Sequence, residues 1–205
     1  MTPSGQMPSD DSGDPIDSRL TDALERLGHV LRTQLRAASA EHGLSPIQAQ
    51  LLMRIATVDQ PDREPARLAR WFDVSRPTVS DATAALRRKS LLAHEPVPGD
   101  RRRTRLVLTP RGRKTAAQLD WWDEPVRAEL AALPPSAKGD TLNLLLNLIG
   151  RMQHSGLVSV ARTCTTCRFY RPPHEQTTAG HCGLLHLPLP PESLRLDCPE
   201  HHPAA

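Results

Sequence analysis

All four cysteines of the chain lie in its C-terminal segment, with the spacing C-x2-C-x14-C-x15-C. They are Cys164, Cys167, Cys182 and Cys198. Two thiolates at C-x2-C can bind one metal ion from a single turn, and two more brought back by loops complete a tetrahedral site. Structural zinc is the simplest interpretation. Because the segment has few regular elements, metal binding would supply much of its folding free energy.

Two other interpretations of the cysteines stay open. Zinc ribbons usually present a second C-x2-C pair and a glycine after the first, whereas Arg168 and Phe169 follow Cys167 here. An iron–sulfur cluster also takes four thiolates, within an apolar shell that limits solvent. Apolar residues that could form such a shell are Phe169, Tyr170, Leu184, Leu185, Leu187, Leu194 and Leu196. Metal-free redox cysteines are the third possibility.

Histidines and carboxylates accompany the cysteines. The histidines are His174, His181, His186, His201 and His202. Any of them could replace one thiolate, but four available thiols favour surface or supporting roles for all five. With Asp197 and Glu200, the cluster could also build a catalytic zinc site. Four cysteines leave no open coordination position, however, and no nucleophile motif or phosphate-binding loop occurs elsewhere, so we expect no enzyme.

The N-terminus indicates the compartment. Residues 1–16 are polar, rich in Pro, Ser, Gly and Asp, and are predicted to be disordered. They contain neither a basic start nor an apolar stretch, so we expect no secretory signal, no membrane span and a cytoplasmic protein. In a reducing cytosol, clustered cysteines are more often metal ligands or redox groups than disulfides.

Helical periodicity dominates residues 17–160. Five leucines from Leu20 to Leu35 recur at spacings of 3 or 4 and predict an amphipathic helix that ends at Gly43. Ser45 and Pro46 open a second helix, and a third is predicted from about residue 64 to 72. Further on, a long helix is expected from residue 111 to about 133, then another, capped by Ser136 and running to about residue 154. The last is apolar round much of its circumference, which favours a partner subunit.

The centre of this region predicts a helix-turn-helix followed by a hairpin. Ser75 caps a fourth helix, whose Val79, Ala82 and Leu86 form a buried stripe. Its opposite face is predicted to carry Arg76, Thr78, Ser80, Asp81, Thr83 and Arg87. Two strands, 92–97 and 104–108, turn at Pro98, Gly99 and Asp100. From Arg87 to Lys114 ten basic residues face only two acidic ones, which indicates a phosphate-binding surface.

These residues resemble the MarR-type winged-helix transcriptional regulators. The resemblance rests on "VSRPTVSDATAALRRKSLL" and on "PGDRRRTRLVLTPRGR", which look like that family's recognition helix and wing. It covers about residues 18–155 and stops before the cysteines. It implies a mainly α fold with a small β-hairpin wing, and a homodimer whose N- and C-terminal helices interlock. It also implies double-stranded DNA as partner, read at a palindromic operator, with repression as the expected mode.

The resemblance and the residue types together suggest roles on DNA. Arg76 could pair with guanine in the major groove, and Thr78, Ser80, Thr83 and Arg87 could contact bases or phosphates. At the wing, Arg102 is predicted to enter the minor groove, flanked by Arg101 and Arg103. The family's wing aspartate commonly supports a wing arginine, and this is the role implied for Asp100.

Three domains are therefore predicted: a disordered segment 1–16, a winged-helix and dimerisation domain 17–160, and a metal-binding tail 161–205. A small-molecule effector near Trp121 and Trp122 is conceivable from the family, but core packing or dimer contact is the better explanation of these side chains. Two alternatives to the zinc-bearing regulator stay open. One is an iron–sulfur or thiol redox sensor of the same fold, and the other is an architectural protein that binds DNA regardless of sequence.

Overall fold

The computed structural model describes residues 14–58, 63–97, 100–174, 177 and 179–204, and the side chains of all of these except 97 and 100–104. Of the predicted disordered segment, residues 1–13 lie outside the described part. The first helix, α1, begins at Pro15 because the Asp14 side chain accepts a hydrogen bond from the Ile16 N–H (3.0 Å).

The first four predicted helices are present in the predicted order. Their bounds are α1 Pro15–Glu41, α2 Pro46–Thr57, α3 Pro65–Trp71 and α4 Arg76–Arg88. A two-stranded antiparallel hairpin follows, with β1 Leu92–Val97 and β2 Asp100–Leu108. Strand β2 begins four residues earlier than the sequence predicts. The shared core is formed by Leu51, Leu52, Ile55, Leu68, Val79, Leu86, Leu106 and Leu119.

The predicted single helix over 111–133 is wrong. The structure has two helices there, α5 Pro110–Leu119 and α6 Glu124–Ala131, separated by a turn. Pro125 accounts for the break, because it has no N–H to donate and its ring would clash with the carbonyl of residue 121 in a continuous helix. Within the turn, Trp121 is exposed, while Trp122 packs against the core.

The last long helix, α7, spans Pro135–His154. Pro134, not Ser136, occupies its N-cap position, and no side chain caps it, so the predicted Ser136 cap is wrong. After α7 the chain contains a small antiparallel sheet in the order β3-β4-β5 and two short 3-10 turns. The strands are β3 Tyr170–Arg171, β4 Gly180–Cys182 and β5 Leu187–Leu189, and the 3-10 turns are Cys164–Thr166 and Pro191–Ser193.

The C-terminal segment packs on one face of α7 and has its own small core. Leu146 of α7 is fully buried against Leu189 and Leu194 of the segment. The glycines of α7 permit this approach, because a Cβ on Gly150 would lie only 2.9 Å from the Thr166 methyl carbon. The apolar surplus of α7 predicted from the sequence is therefore covered in part by the tail of the same chain, while Leu144 and Leu145 stay exposed.

Candidate nucleic-acid interface and cysteine cluster

Helix α4 presents a polar face to solvent. Its N-terminus is fixed by Ser75, whose hydroxyl accepts a hydrogen bond from the Thr78 N–H (3.2 Å). Val79 and Leu86 are fully buried and anchor the inner face. The exposed side chains predicted for DNA contact are Arg76, Thr78, Ser80 and Arg87. The hydrophobic anchoring orients these groups outward along one helix, as a major-groove reader requires.

Thr83 does not belong to this face. Its side chain is 5% exposed, and its hydroxyl donates to the Ser80 carbonyl (3.0 Å). The position is one turn after Val79, so the helical period carries it towards the core. A threonine satisfies its hydroxyl within its own helix at such a site. The sequence-based assignment of Thr83 to the exposed face is corrected accordingly.

The turn between α3 and α4 is tight and tied to the rest of the chain. Asp73 has a left-handed backbone conformation (φ 49°), which lets the chain reverse within four residues. Its carboxylate accepts a hydrogen bond from the Ser159 N–H (3.0 Å), in the linker after α7. The helix-turn-helix is thus joined directly to the segment that leads to the cysteines.

The hairpin stands next to α4 as a wing. Glu95 pairs with Arg105 across the strands, with 2.9 Å between carboxylate and guanidinium, and the register shifts between Pro96 and Val97 towards the tip. Near its base, burial lowers the pKa of His94, and the charge of Arg87 lowers it further. The tip residues Asp100, Arg101, Arg102 and Arg103 belong to β2, but their side chains lie outside the described part.

The hairpin is clamped at its base by the motif Leu-Thr-Pro-x-Gly. Thr109 caps α5 by accepting from the Gly112 N–H (3.0 Å), and its hydroxyl donates to the Ser90 carbonyl (2.7 Å). Gly112 is required by space, because a Cβ there would lie 1.9 Å from the Leu91 carbonyl oxygen. The motif therefore joins the end of α4, the wing and α5 into one unit.

The four cysteines line a single cavity of about 20 Å³ in the C-terminal segment. The other residues that line it are Phe169, Tyr170, Leu184, Leu185, Leu189 and Glu200. Cys164 and Cys198 are buried, Cys167 and Cys182 are partly buried, and none is in a disulfide. The cavity contacts four of the predicted shell residues, Phe169, Tyr170, Leu184 and Leu185. The shell is partly open to solvent, because Leu184, Leu185, Leu187 and Leu196 are exposed, while Leu194 is buried.

Backbone amides point at two of the sulfurs. The Arg195 N–H donates to Cys164 Sγ (3.2 Å) and the Leu185 N–H to Cys182 Sγ (3.5 Å). Burial raises the pKa of the Cys164 thiol, and the charges of Cys198 and Cys182 raise it further, against the Arg195 hydrogen bond. Across the described residues, no three His, Cys, Asp or Glu side chains already meet at one ion position. The sulfurs instead surround the cavity.

The histidines take supporting or surface positions. His201 shares a hydrogen bond with the Thr166 hydroxyl (3.0 Å), and burial lowers its pKa. His202 stacks edge-on against Phe169, with ring centroids 5.3 Å apart. His174 and His181 are exposed. No histidine is among the described residues that line the cavity, so the cysteines are the candidate ligands there.

Sequence reasoning missed the residues that attach the cysteine segment to the winged-helix part. Asp197, next to Cys198, pairs with Arg54 of α2 and with Arg162 (3.3 Å). Thr165, inside C-x2-C, donates to the Leu146 carbonyl of α7 (3.2 Å). The sequence gives no local signal for the Arg54–Asp197 pair, because the two residues are 143 positions apart. The position of Asp197 beside Cys198 is the one feature that could have drawn attention to it.

The helix-turn-helix and the hairpin that follows it define a winged-helix protein. Residues 42–103, from α2 into the wing, match the model of the MarR family. The match confirms the resemblance predicted from the sequence: residues 42–103 are similar to the MarR family, and their fold is a winged helix-turn-helix. The match ends well before the first cysteine. None of the helices in the described ranges is long and apolar enough to cross a membrane.

Solved structures share the winged-helix fold of this chain. Staphylococcus aureus MarR in complex with salicylate and kanamycin has a TM-score of 0.59 at 14% identity, over 69% of this chain and 95% of that one. The transcriptional regulator PA3341 gives 0.58 at 23% identity, over 66% and 98%. The Staphylococcus aureus MepR–DNA complex gives 0.56 at 19% identity, over 64% and 96%. No curated protein matches the chain.

Proposed function

We propose that the protein is a homodimeric, sequence-specific DNA-binding transcriptional regulator that acts as a repressor and carries a metal-binding C-terminal module. The observation that carries the DNA-binding part is the face of α4. Arg76, Thr78 and Ser80 are exposed on a helix whose other face is locked into the core. The hairpin beside this helix carries four arginines, and such a concentration of positive charge favours an anionic partner such as DNA.

The face and the wing fit the two grooves of B-DNA. Helix α4 can enter the major groove, where the Arg76 fork matches the O6 and N7 acceptors of guanine. Thr78 and Ser80 reach bases or phosphates from the same turn, and Arg87 lies two turns on, near the backbone. In this pose the arginines at the wing tip, Arg102 first among them, reach the adjacent minor groove, where negative potential favours guanidinium.

The exposed apolar face of α1 supports the dimer. Of this 27-residue helix only Leu35 and Ser39 are buried within the chain. Leu20, Leu24 and Leu27 are each more than 40% exposed, and all lie on one face. A second copy is the occupant that fits, since Leu144 of α7 is exposed as well and the α1 and α7 helices interlock in the proposed family architecture. Two copies place two α4 helices on one palindrome.

Relatives lend support at the level of the fold. MepR is described in complex with DNA, and Staphylococcus aureus MarR in complex with salicylate. By analogy we propose double-stranded DNA as the partner of this chain.

Selection from a pool of duplexes with a random core tests the proposal. The full-length protein should enrich a palindrome whose half-sites lie about one helical turn apart. The Arg76→Ala protein should enrich the same palindrome with one relaxed position in each half-site. Arg26→Ala, on the face of α1 opposite its leucines, is the matched control and should enrich the wild-type sequence. A pool that stays unenriched with wild-type protein would overturn the proposal.

A further inference from the structure

We propose that Cys164, Cys167, Cys182 and Cys198 together bind one thiophilic metal centre, which makes the C-terminal segment a folded metal module. This deepens the proposed function, on which its regulatory meaning rests, but the binding itself does not depend on DNA. Two centres share the ligand chemistry, a tetrathiolate zinc ion and an iron–sulfur cluster. The cavity and its surroundings carry the argument.

The four cysteines converge in space. The four cysteines span 35 residues of chain, yet all of them line one cavity, and none forms a disulfide. Two come from the turn Cys164–Thr166 and its exit, where the Cys167 N–H donates to the Cys164 carbonyl (3.0 Å). The third ends β4, which pairs with β3 so that Cys182 lies opposite Tyr170. The fourth is brought in beside Arg162. Every thiol of the chain is thus used at one place.

The residues around the sulfurs provide hydrogen-bond donors and apolar walls. N–H groups of Arg195 and Leu185 donate to two of the sulfurs, and such donors stabilise sulfur that carries negative charge. The remaining wall is aromatic and aliphatic, apart from Glu200. No histidine lines the described part of this wall, and two of the four sulfurs belong to buried cysteines. A soft cation is the partner that meets the needs of four thiolates together.

The volume of the cavity suits a single ion. A cavity of about 20 Å³ has room for one ion. Tetrahedral thiolate ligands at about 2.3 Å from zinc stand about 3.8 Å apart. Among the described residues the sulfurs do not already meet at one ion position, so binding would draw them inward by rotation of side chains on loops.

The test uses full-length protein purified without oxygen, analysed for zinc, iron and acid-labile sulfide and by absorption spectroscopy. We expect about one centre per chain. Zinc without visible absorption identifies the ion, and iron with sulfide and a brown colour identifies the cluster. The Cys164→Ser/Cys167→Ser protein should retain less than about a tenth of the wild-type metal, because two ligands cannot hold either centre. The matched control His174→Ala/His181→Ala, on exposed side chains of the same segment, should retain all of it.

A measurement on wild-type protein tests metal binding even if the serine variant misfolds. Iodoacetamide should label the four cysteines at least tenfold faster after a chelator has removed the metal, and added Zn²⁺, or ferrous iron with sulfide, should restore protection. Equal labelling rates in all these conditions, or a control that loses as much metal as the serine variant, would overturn the proposal. Binding to the selected duplex, measured on the same samples, reports separately on the proposed function.

Discussion

Arg54 of the winged-helix domain and Asp197 of the cysteine segment form an ion pair, although 143 residues separate them. The Arg54 guanidinium also lies over the Trp71 ring of α3, with 3.6 Å from its carbon to the ring centroid. Asp197 is flanked by Cys198 and contacts Arg162 as well. The pair therefore links the neighbourhood of a cysteine to the helices that carry the helix-turn-helix.

Asp197→Asn should weaken the attachment of the cysteine segment. The pair is largely shielded, with 14% and 26% of the two side chains exposed, so removal of the charge leaves Arg54 poorly compensated. We expect a loss of about 1–2 kcal/mol in the free energy of unfolding, measured by urea denaturation. Glu25→Gln breaks the pair with Arg32, which is more than 60% exposed, and should change nothing measurable. Equal losses in both proteins would contradict the assigned role of Asp197.

Gly112→Ala should destabilise the junction between the wing and α5. The new methyl carbon would lie 1.9 Å from the Leu91 carbonyl oxygen, so backbone must move. We expect a cost of about 2–4 kcal/mol, which thermal unfolding can measure. Gly28→Ala is the control: its Cβ meets only the flexible Arg32 guanidinium, and alanine favours the helix, so stability should be unchanged or slightly higher. A Gly112→Ala protein as stable as wild type would contradict the close packing of Gly112 against Leu91.

Leu27→Glu should dissociate the proposed dimer. Leu27 is 58% exposed within the chain and lies on the apolar face of α1, where a second copy would bury it. A carboxylate in that interface is costly without a partner, so light scattering at micromolar concentration should give a dimer mass for wild type and a mass near 22.6 kDa for the variant. Arg26→Glu, on the opposite face, should stay dimeric. A wild-type protein of monomer mass would contradict the dimer.

Arg102→Ala should weaken DNA binding while leaving the fold intact. The proposed minor-groove contact at the wing tip is worth roughly 1–3 kcal/mol, which corresponds to about a 5- to 150-fold rise in dissociation constant. The loss should be smaller for duplexes whose flanks lack A·T tracts, because a wider minor groove attracts arginine less. Arg151→Ala, an exposed arginine of α7, serves as the control and should bind as wild type does.

The local signals in the sequence predicted most of the winged-helix fold. Ser75 and Pro46 mark helix starts by chemistry that acts over three or four residues, and the structure has helices at both places. The helical periodicity of residues 111–133 predicts one helix, whereas the structure breaks it before α6, where Pro125 cannot continue the preceding helix. The hydroxyl of Thr83 suggests a surface position, but the side chain is buried because its hydrogen bond closes within its own turn.

Long-range pairing was beyond local reasoning. The convergence of four cysteines on one cavity agrees with what their spacing suggested, but the contact of α7 with the tail had no sequence signal apart from its glycines. Arg54 likewise looks like any basic helix residue until Asp197 is placed beside it. Such pairs depend on how the whole chain folds back, which neither periodicity nor capping encodes.

The ratio of two affinities tests the central claim most directly. Fluorescence anisotropy would measure binding of the wild-type protein to its selected palindrome and to a scrambled duplex of equal length and composition, at a fixed salt concentration of about 150 mM. Sequence-specific regulators bind their sites at least about 10³-fold more tightly than other DNA, and we predict a ratio of that order. Equal affinities for the two duplexes would contradict the account and identify the basic surface as a nonspecific binder of phosphate.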